Sequence, residues 1–329
     1  MTSIKTERIL VTGGSGFIGT NLIENLLKTG SDILNIDIKE PRNSTHIRMW
    51  CNVDLRSRDN LFVAIKDFKP TQIYHLGAKT DLNSTNVDDY SANTSGIINL
   101  IDACIKVGGV DRVIFASSRL VCKIGYQPTS DEDYCPTTTY GESKVIGEKI
   151  LRERSNLNFE WIIVRPTSIW GPWFDMPYRL FFDHVRAGRY VHPGNMVIRK
   201  SFGFVGNTVF QLKKLMVASS TTIDKKTFYL GDYEPIEVNE FSKKIAAEFR
   251  VRAPLAVPTW LLSVVSKFGD LLVRFGYKNA PLTSFRLKNL KTEMLHDFKE
   301  LPVITGRLPH DVDEGIRLTV GWMENVSKL

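Results

Sequence analysis

The segment Tyr140-Gly-Glu-Ser-Lys144 sets a phenol and an ammonium four residues apart. On a helix that spacing puts both side chains on one face, about one turn from each other. A free phenol releases its proton only near a pH of about 10, and a lysine cation beside it stabilises the phenolate. Tyr140 thereby becomes a usable acid/base nearer neutrality, helped further by the positive ring of an oxidised nicotinamide. The bland alternative is an exposed Tyr–Lys pair. Ser117 and Ser118 weigh against it, because they close the apolar run from Arg112 and so fall at a strand's carboxyl end. A hydroxyl there reaches a carbonyl or alkoxide held beside Tyr140; the plainer reading is a serine capping a turn. The chemistry these residues suit is proton transfer at a carbinol carbon that exchanges hydride with a nicotinamide.

Such chemistry needs a dinucleotide site, and the chain opens on one. Ile9 to Val11 is an apolar run short enough for a buried strand, and Gly13, Gly14, Gly16 and Gly19 follow within seven positions. Helical spacing resumes at Ile18, Leu22, Ile23, Leu26 and Leu27. Strand, glycine turn and helix let backbone N–H groups approach a pyrophosphate that a side chain would block, and the helix N-terminus adds partial positive charge. Two registers fit: Gly14, Gly16 and Gly19 give G-x-G-x-x-G, and Gly13, Gly16 and Gly19 give G-x-x-G-x-x-G. A glycine-rich hairpin is the competing reading. Against it, residues 31–38 read as a second strand that carries Asp37, eighteen residues past Gly19. An acid near that distance hydrogen-bonds a ribose and repels a 2′-phosphate, which favours NAD over NADP. Lys39 and Arg42 lie nearby and soften that preference.

The elements that must position these groups alternate. Helical spacing covers Arg58 to Phe68, Tyr90 to Val107 (stopped by Gly108-Gly109) and Thr139 to Arg154. Strand-like runs cover Cys51 to Leu55, Gln72 to Ala78, Arg112 to Ser117 and Trp161 to Arg165. The alternation predicts an α/β fold with a doubly wound parallel sheet, residues 1–175, carrying a smaller substrate lobe, mainly 176–329, from which later segments return to the sheet. In such sheets ligands sit at the carboxyl ends of the strands. Beyond Gly171-Pro172-Trp173 the pattern loosens: a short helix over Tyr178 to Ala187, a loop over Arg189 to Gly206, a strand at Thr227 to Leu230, and helices over Val238 to Phe249 and Arg317 to Val326.

Composition narrows the class. The 329 residues can bury a sizeable core, and 43% hydrophobic with 24% charged is ordinary for a globular protein. The net charge of +7 comes without a long Lys/Arg run, which argues against nucleic acid and fits attraction of a phosphorylated substrate. Cys51, Cys104, Cys122 and Cys135 show no C-x-x-C pairing and no metal-ligand spacing, so a reduced, cytoplasmic setting and no metal are expected. The start, Met1 to Arg8, reads as neither a secretory signal nor a transit peptide. The most apolar stretch, Leu255 to Phe275, is interrupted by Lys267, Asp270 and Arg274. That rules against a membrane span; packing against the rest of the protein is the preferred reading, with a helix on a membrane surface as the alternative.

With these residues in hand, nearly the whole chain resembles the extended short-chain dehydrogenase/reductase family, in particular its nucleotide-sugar epimerase/dehydratase branch. Thr12-Gly13-x-x-Gly16-x-x-Gly19, with Phe17 and Ile18 between the last two glycines, matches the family's cofactor turn. Asp37 matches its ribose acid and Asp54-Leu55 its adenine-side pair. His75-Leu76-Gly77-Ala78 resembles the stretch along the nicotinamide, and Asn93 sits where the family has a cofactor-side asparagine. Ser118, Tyr140 and Lys144 match the catalytic triad, and Arg165 to Pro172 resembles R-x-x-N-x-Y-G-P. The departures are Ser168 for asparagine, Trp170 for tyrosine, and Lys200 and Asn207 for the Arg and Asp of a later segment. Ser117, Ser168, Arg199 and Lys200 are the expected substrate contacts, with Arg179, Arg186 and Arg189 as weaker sources of charge. The resemblance also implies a homodimer through helices near 90–107 and 139–154, and a place in polysaccharide biosynthesis.

The family's dehydratases carry Asp-Glu after the triad Ser/Thr; here Arg119-Leu120 follow Ser118, which disfavours 4,6-dehydration. The 3,5-epimerising members use cysteine or lysine with histidine, and Arg119-Leu120 occupies that neighbourhood too, leaving Cys122 as a small apolar filler. What remains is an NAD-dependent epimerase or keto-reductase of a nucleotide-activated sugar, which the same residues serve equally. Two alternatives stay open. The stretches from Pro258 to Thr283 and Gly315 to Trp322 look like 3β-hydroxysteroid-type relatives, with a lipid or sterol substrate. A non-catalytic dinucleotide sensor would share the scaffold, but such proteins often lose the Tyr-x-x-x-Lys pair that this chain keeps.

Overall fold

The computed structural model describes residues 7–176, 178–275, 277 and 282–326. Most of the polar start, and residues 276 and 278–281 of the stretch that resembles the steroid-type relatives, lie outside the described residues. A seven-stranded sheet is built from β1 (Arg8–Thr12), β2 (Asp32–Ile36), β3 (Trp50–Cys51), β4 (Gln72–His75), β5 (Arg112–Ala116), β6 (Glu160–Pro166) and the strand Thr227–Leu230. The spatial order is β3-β2-β1-β4-β5-β6 with Thr227–Leu230 outside β6, and every pairing is parallel. The order reverses between β1 and β4, which opens a crevice at their carboxyl ends.

Alternation along the strands divides the core. Ile9 and Val11 join one apolar layer, with the helix α1 (Phe17–Leu27) and the helix Val205–Val217. Leu10 and Ile73 join the other, with α2 (Arg58–Phe68) and α3 (Ser95–Val107). Adjacent residues of a strand point to opposite faces, so a short run such as Ile9-Leu10-Val11 is buried on both sides. A third cluster, around Trp170, Phe174, Phe182, Phe204 and Phe241, forms the core of the second half.

Several elements differ from expectation. The predicted helix over 90–107 is two pieces: a tight turn Val87–Asn93 and α3, separated at Thr94, whose backbone leaves the helical region. The predicted loop over 189–206 contains three short strands, Val191–Pro193, Arg199–Lys200 and Phe202–Phe204, each paired with a distant segment. The helix Val205–Val217 follows directly and has no side-chain cap to announce it. The last helix starts five residues early, at Val312, with Asp313 and Glu314 in its first turn where the helix dipole favours acids. The helix Thr259–Arg274 exposes its large apolar side chains, contrary to the expectation that it packs inward.

Candidate functional site

The glycine turn closes at the tip of β1. Gly13 has φ +71°, a left-handed backbone that L side chains rarely adopt. A Cβ built there would stand 2.6 Å from the backbone nitrogen of Gly77, because the turn is pressed against the chain leaving β4. Gly16 is the N-cap of α1, donates its N–H to the Gly13 carbonyl (3.0 Å) and brings no side chain to the cap. A Cβ at Gly19 would meet that same carbonyl at 2.3 Å. Gly14 is as tightly placed, since a Cβ there would stand 2.3 Å from Asn35 Oδ1, so the packing calls for glycine in both registers. The result is an uncapped helix start with no acid in its first turn, which suits a pyrophosphate.

Asp37 leaves the tip of β2 and accepts N–H bonds from Ser15 (3.1 Å) and Lys39 (3.0 Å), tying the glycine turn to the second strand. Burial pushes its carboxyl up, and those backbone bonds oppose the rise. Asp54 is gripped by the Arg56 guanidinium (2.6 Å from Nη2), which holds the carboxyl below its usual range. Leu55 is buried beneath Gly77 and Gly96. After β4, Leu76 donates its N–H to the Thr12 carbonyl (3.0 Å), and Leu76 and Ala78 lie half-buried beside the turn. His75 bonds to the Thr12 hydroxyl (2.8 Å); burial drives it down to about 3 and keeps it neutral. Asn93 is fully engaged inside the fold: it accepts from Lys79 N–H (2.8 Å) and donates to the Lys79 carbonyl and the Ser143 hydroxyl (both 2.9 Å). It thereby fixes the loop after β4 to α4 (Thr139–Glu153).

Tyr140 and Lys144 sit on the first turns of α4, which Thr138 caps by accepting the Gly141 N–H (3.0 Å). Both are buried, and the ammonium lies 6.0 Å from the phenol ring centroid. Ser118, just beyond β5, accepts the Leu120 N–H (3.1 Å), and its hydroxyl faces the Tyr140 phenol closely enough to favour the phenolate. Ser117 carries a buried hydroxyl with no hydrogen-bond partner among the described residues. Lys144 donates to the Ala116 carbonyl (2.8 Å), so its charge is anchored to the same strand end. The sequence puts the phenol near neutrality through Lys144; in the protein alone burial wins and pushes Tyr140 up to about 12, against the pull of the Ser118 hydroxyl and the Arg119 charge.

Burial also pushes Lys144 down to about 8, opposed by Glu148 one turn further along α4. An unfolded chain then holds more protons than the folded one between about 8 and the ordinary 10.5, so stability rises with pH across that window, by roughly 3 kcal/mol in full. Lys200 is pushed down to about 8 and adds a contribution of the same sign, while Tyr140 acts oppositely only above its ordinary 10.0. Denaturant unfolding from pH 8 to 10 is expected to show rising stability, and Lys144→Met to flatten part of that rise.

Beyond the triad, the structure gathers a positive mouth that sequence reading only partly found. Arg119 follows Ser118, and its charge acts on Tyr140, on Lys200 and on His296. His296 stacks on Tyr229 with centroids 4.6 Å apart and is driven down to about 4, chiefly by burial. Arg119 was legible by adjacency to Ser118; nothing local marks His296. Of the expected substrate contacts, Lys200 reaches this region and donates to the Asn289 carbonyl (2.9 Å). Arg199, its neighbour on a two-residue strand, takes the opposite face and is exposed, so it is not brought to the mouth. Ser168 is buried in the strand Ser168–Trp170. Asn207 donates to Asp232 (2.7 Å) and to the His310 carbonyl (2.9 Å), which makes it a structural tie. Arg179 pairs with Asp183 (3.6 Å) and Arg189 is exposed. The four cysteines are free, and the described residues hold no cluster of metal-ligating side chains.

A crossover crevice, a glycine turn without side chains, an acid at the tip of β2 and a buried Ser–Tyr–Lys set define a dinucleotide-dependent α/β enzyme. The chain belongs to the NAD dependent epimerase/dehydratase family, whose model matches residues 9–191. Along its length it is similar to UDP-glucose 4-epimerase of Thermotoga maritima, with TM-score 0.74 and 20% identity over 97% of this chain and 99% of that one. It is 28% identical to a 3-beta-hydroxysteroid dehydrogenase of Mycolicibacterium neoaurum over 72% of this chain and 69% of that protein. It is 23% identical to the N-acetyl-alpha-D-glucosaminyl-diphospho-ditrans,octacis-undecaprenol 4-epimerase of Escherichia coli O157:H7, covering 96% and 95% of the two chains. The residues fit NAD: the cradle that a Cβ would fill and the half-buried Asp37 suit its pyrophosphate and adenosine ribose.

Proposed function

We propose that this protein is an NAD-dependent epimerase or keto-reductase of a nucleotide-activated sugar, with Tyr140 as acid/base. The observation that carries the reading is the buried Tyr140–Lys144 pair on one face of α4, with Lys144 tied to the Ala116 carbonyl at the strand end that carries Ser118, beside a mouth where Arg119 and Lys200 concentrate positive charge. When bound, NAD supplies the hydride acceptor or donor and, oxidised, a positive ring charge beside the phenol. Tyr140 takes the proton of the substrate hydroxyl, or returns it to the keto oxygen. Ser118 holds that oxygen in line with the phenol. Lys144 keeps a positive charge under the phenolate. Arg119 and Lys200 attract the diphosphate. Gly13, Gly16, Phe17, Ile18 and Gly19 hold the pyrophosphate, Asp37 the ribose, Asp54 and Leu55 the adenine side, and Leu76, Ala78 and Asn93 line or brace the nicotinamide side.

The same reading carries a division near residue 175 into cofactor and substrate parts, a homodimer through α3 and α4, a cytoplasmic setting and a role in building polysaccharides. A second reading, a secondary alcohol on a sterol or other lipid, is favoured by the likeness to the mycobacterial steroid dehydrogenase. Thermal-shift titration separates the two: UDP-, GDP- or dTDP-sugars are expected to raise the melting temperature, and sterols not, because only a bound ligand stabilises the native state. A shift with sterols alone overturns the sugar reading. For the cofactor, Asp37→Ser is expected to weaken NAD binding roughly tenfold, about one charge-assisted hydrogen bond, and to narrow the gap to NADP. Calorimetric titration with both dinucleotides checks it.

A further inference from the structure

The helix Thr259–Arg274 is turned inside out relative to a core helix. Its buried residues are Leu262, Ser266 and Gly269, two of them small. A Cβ at Gly269 would strike the Leu282 carbonyl oxygen at 1.8 Å, so the seam is pressed against the chain entering the helix Ser284–Lys291. Asp270 accepts the Ser284 N–H (3.0 Å) and the Ser266 and Ser284 hydroxyls meet at 3.4 Å. The large apolar side chains face away: Trp260 is 69% exposed, Val264 59%, Phe268 62% and Phe275 80%. At 100° per residue these four and Leu271 fall within a third of the helix circumference, opposite the seam. Tyr277 (60%) and Phe285 (73%) continue the surface, and every large exposed aromatic side chain among the described residues lies between 260 and 285.

Charge gathers in the same stretch of sequence. Residues 252–291 hold seven Lys/Arg and one acid, Asp270, so six of the chain's seven excess positive charges fall in these forty residues. On the helix wheel Lys267 and Arg274 flank the apolar face, where long basic side chains lay their stems along it and hold their charges outward. No described helix is long and apolar enough to cross a membrane. Exposed aromatics on one face with cations along its edge match a helix lying in the plane of a lipid–water interface.

We propose that the helix Thr259–Arg274, with Ser284–Lys291 behind it, is a peripheral docking surface for an anionic lipid bilayer. The occupant is chosen by charge: a second copy would set these cations against each other, whereas anionic headgroups neutralise them. The surface is tied to the site's mouth, since Lys200 donates to Asn289 in the second helix (2.9 Å). Docking therefore brings the mouth to the membrane, whichever alcohol is the substrate.

The test uses the full chain with phosphatidylcholine vesicles, with and without phosphatidylglycerol, followed by co-sedimentation. Binding is expected to the anionic vesicles, weakened at least about tenfold by the pair Phe268→Ser and Phe275→Ser, and weakened again by salt or by Lys267→Gln with Arg274→Gln. The NAD-induced thermal shift of these variants, measured beside the wild type, reports folding independently of lipid, because the altered side chains are exposed. Failure to sediment with either vesicle overturns the proposal, as does binding that the folded variants leave unchanged. Conversion of a dimer to a monomer by Phe268→Ser without any lipid binding also overturns it, by assigning the face to a second copy.

Discussion

Tyr140→Phe is expected to lower turnover about a thousandfold while leaving NAD affinity within a factor of about three. The substitution removes one oxygen and keeps the ring. That ring is buried, tilted against Tyr90 with centroids 6.2 Å apart, and phenylalanine preserves the packing. What is lost is the hydroxyl that faces Ser118, the only proton carrier the proposed mechanism places at the substrate oxygen. Since the unaided phenol sits near 12, the wild type depends on positive charge to bring it into range, and no neighbouring group replaces it. His75, which feels the Lys144 charge, is driven to about 3, so it is neutral at pH 7 and offers no imidazolium proton. Single-turnover kinetics with NAD-loaded enzyme read the effect; full turnover in the variant assigns the acid/base elsewhere.

The second large effect is on stability. Arg165→Met is expected to destabilise the fold by about 3–5 kcal/mol, the usual cost of leaving one partner of a buried ion pair alone. Arg165 and Glu148 are both nearly inaccessible, with side chains 1% and 2% exposed. The guanidinium donates through Nε to Glu148 (2.9 Å) and through Nη2 to Glu148 (2.7 Å) and the Asp131 carbonyl (2.5 Å). It lies 5.5 Å from the centroid of Tyr134 and 5.6 Å from that of Tyr229, with the remaining room closed by rings. The double variant Arg165→Met with Glu148→Met is expected to recover much of the loss, because two apolar groups of similar length leave no uncompensated charge. Denaturant unfolding of the single and double variants checks both. A single variant within about 0.5 kcal/mol of wild type would mean that Glu148 is satisfied by Arg152 and Tyr134 alone.

That pair marks where sequence reading stops. Arg165 was legible as the start of a family segment, with no partner assigned to it. Its actual partner is seventeen residues earlier, on the helix of Tyr140 and Lys144, and no local pattern joins them. Local signals were strong where one turn or one strand decides the outcome. The glycine spacing at 13, 16 and 19, the helix over 58–68 and the Tyr-x-x-x-Lys face were all readable, because sterics and helical period act within a few residues. Contacts made over long separations were not. The helix Val205–Val217 was missed because Phe202-Gly-Phe204-Val205 reads as strand or loop until Ser168–Trp170 pairs with it. The break at Thr94 interrupts an apolar rhythm that looks continuous from 90 to 107. Thr259–Arg274 misled differently: hydrophobicity announced a buried helix, but the close approach of Leu282 at Gly269 turned its small side inward.

The most direct test of the account is turnover in heavy water. The protein, supplied with NAD or NADH and a panel of UDP-, GDP- and dTDP-sugars and their 4-keto forms, is assayed by NMR for hydrogen at the carbon that changes configuration or oxidation state. The product is expected to carry at that carbon the hydrogen that came from the substrate or the nicotinamide, with no solvent deuterium. Deuterium entering that carbon from solvent would contradict it, since it would mean that a C–H proton, not a hydride, is what the site moves.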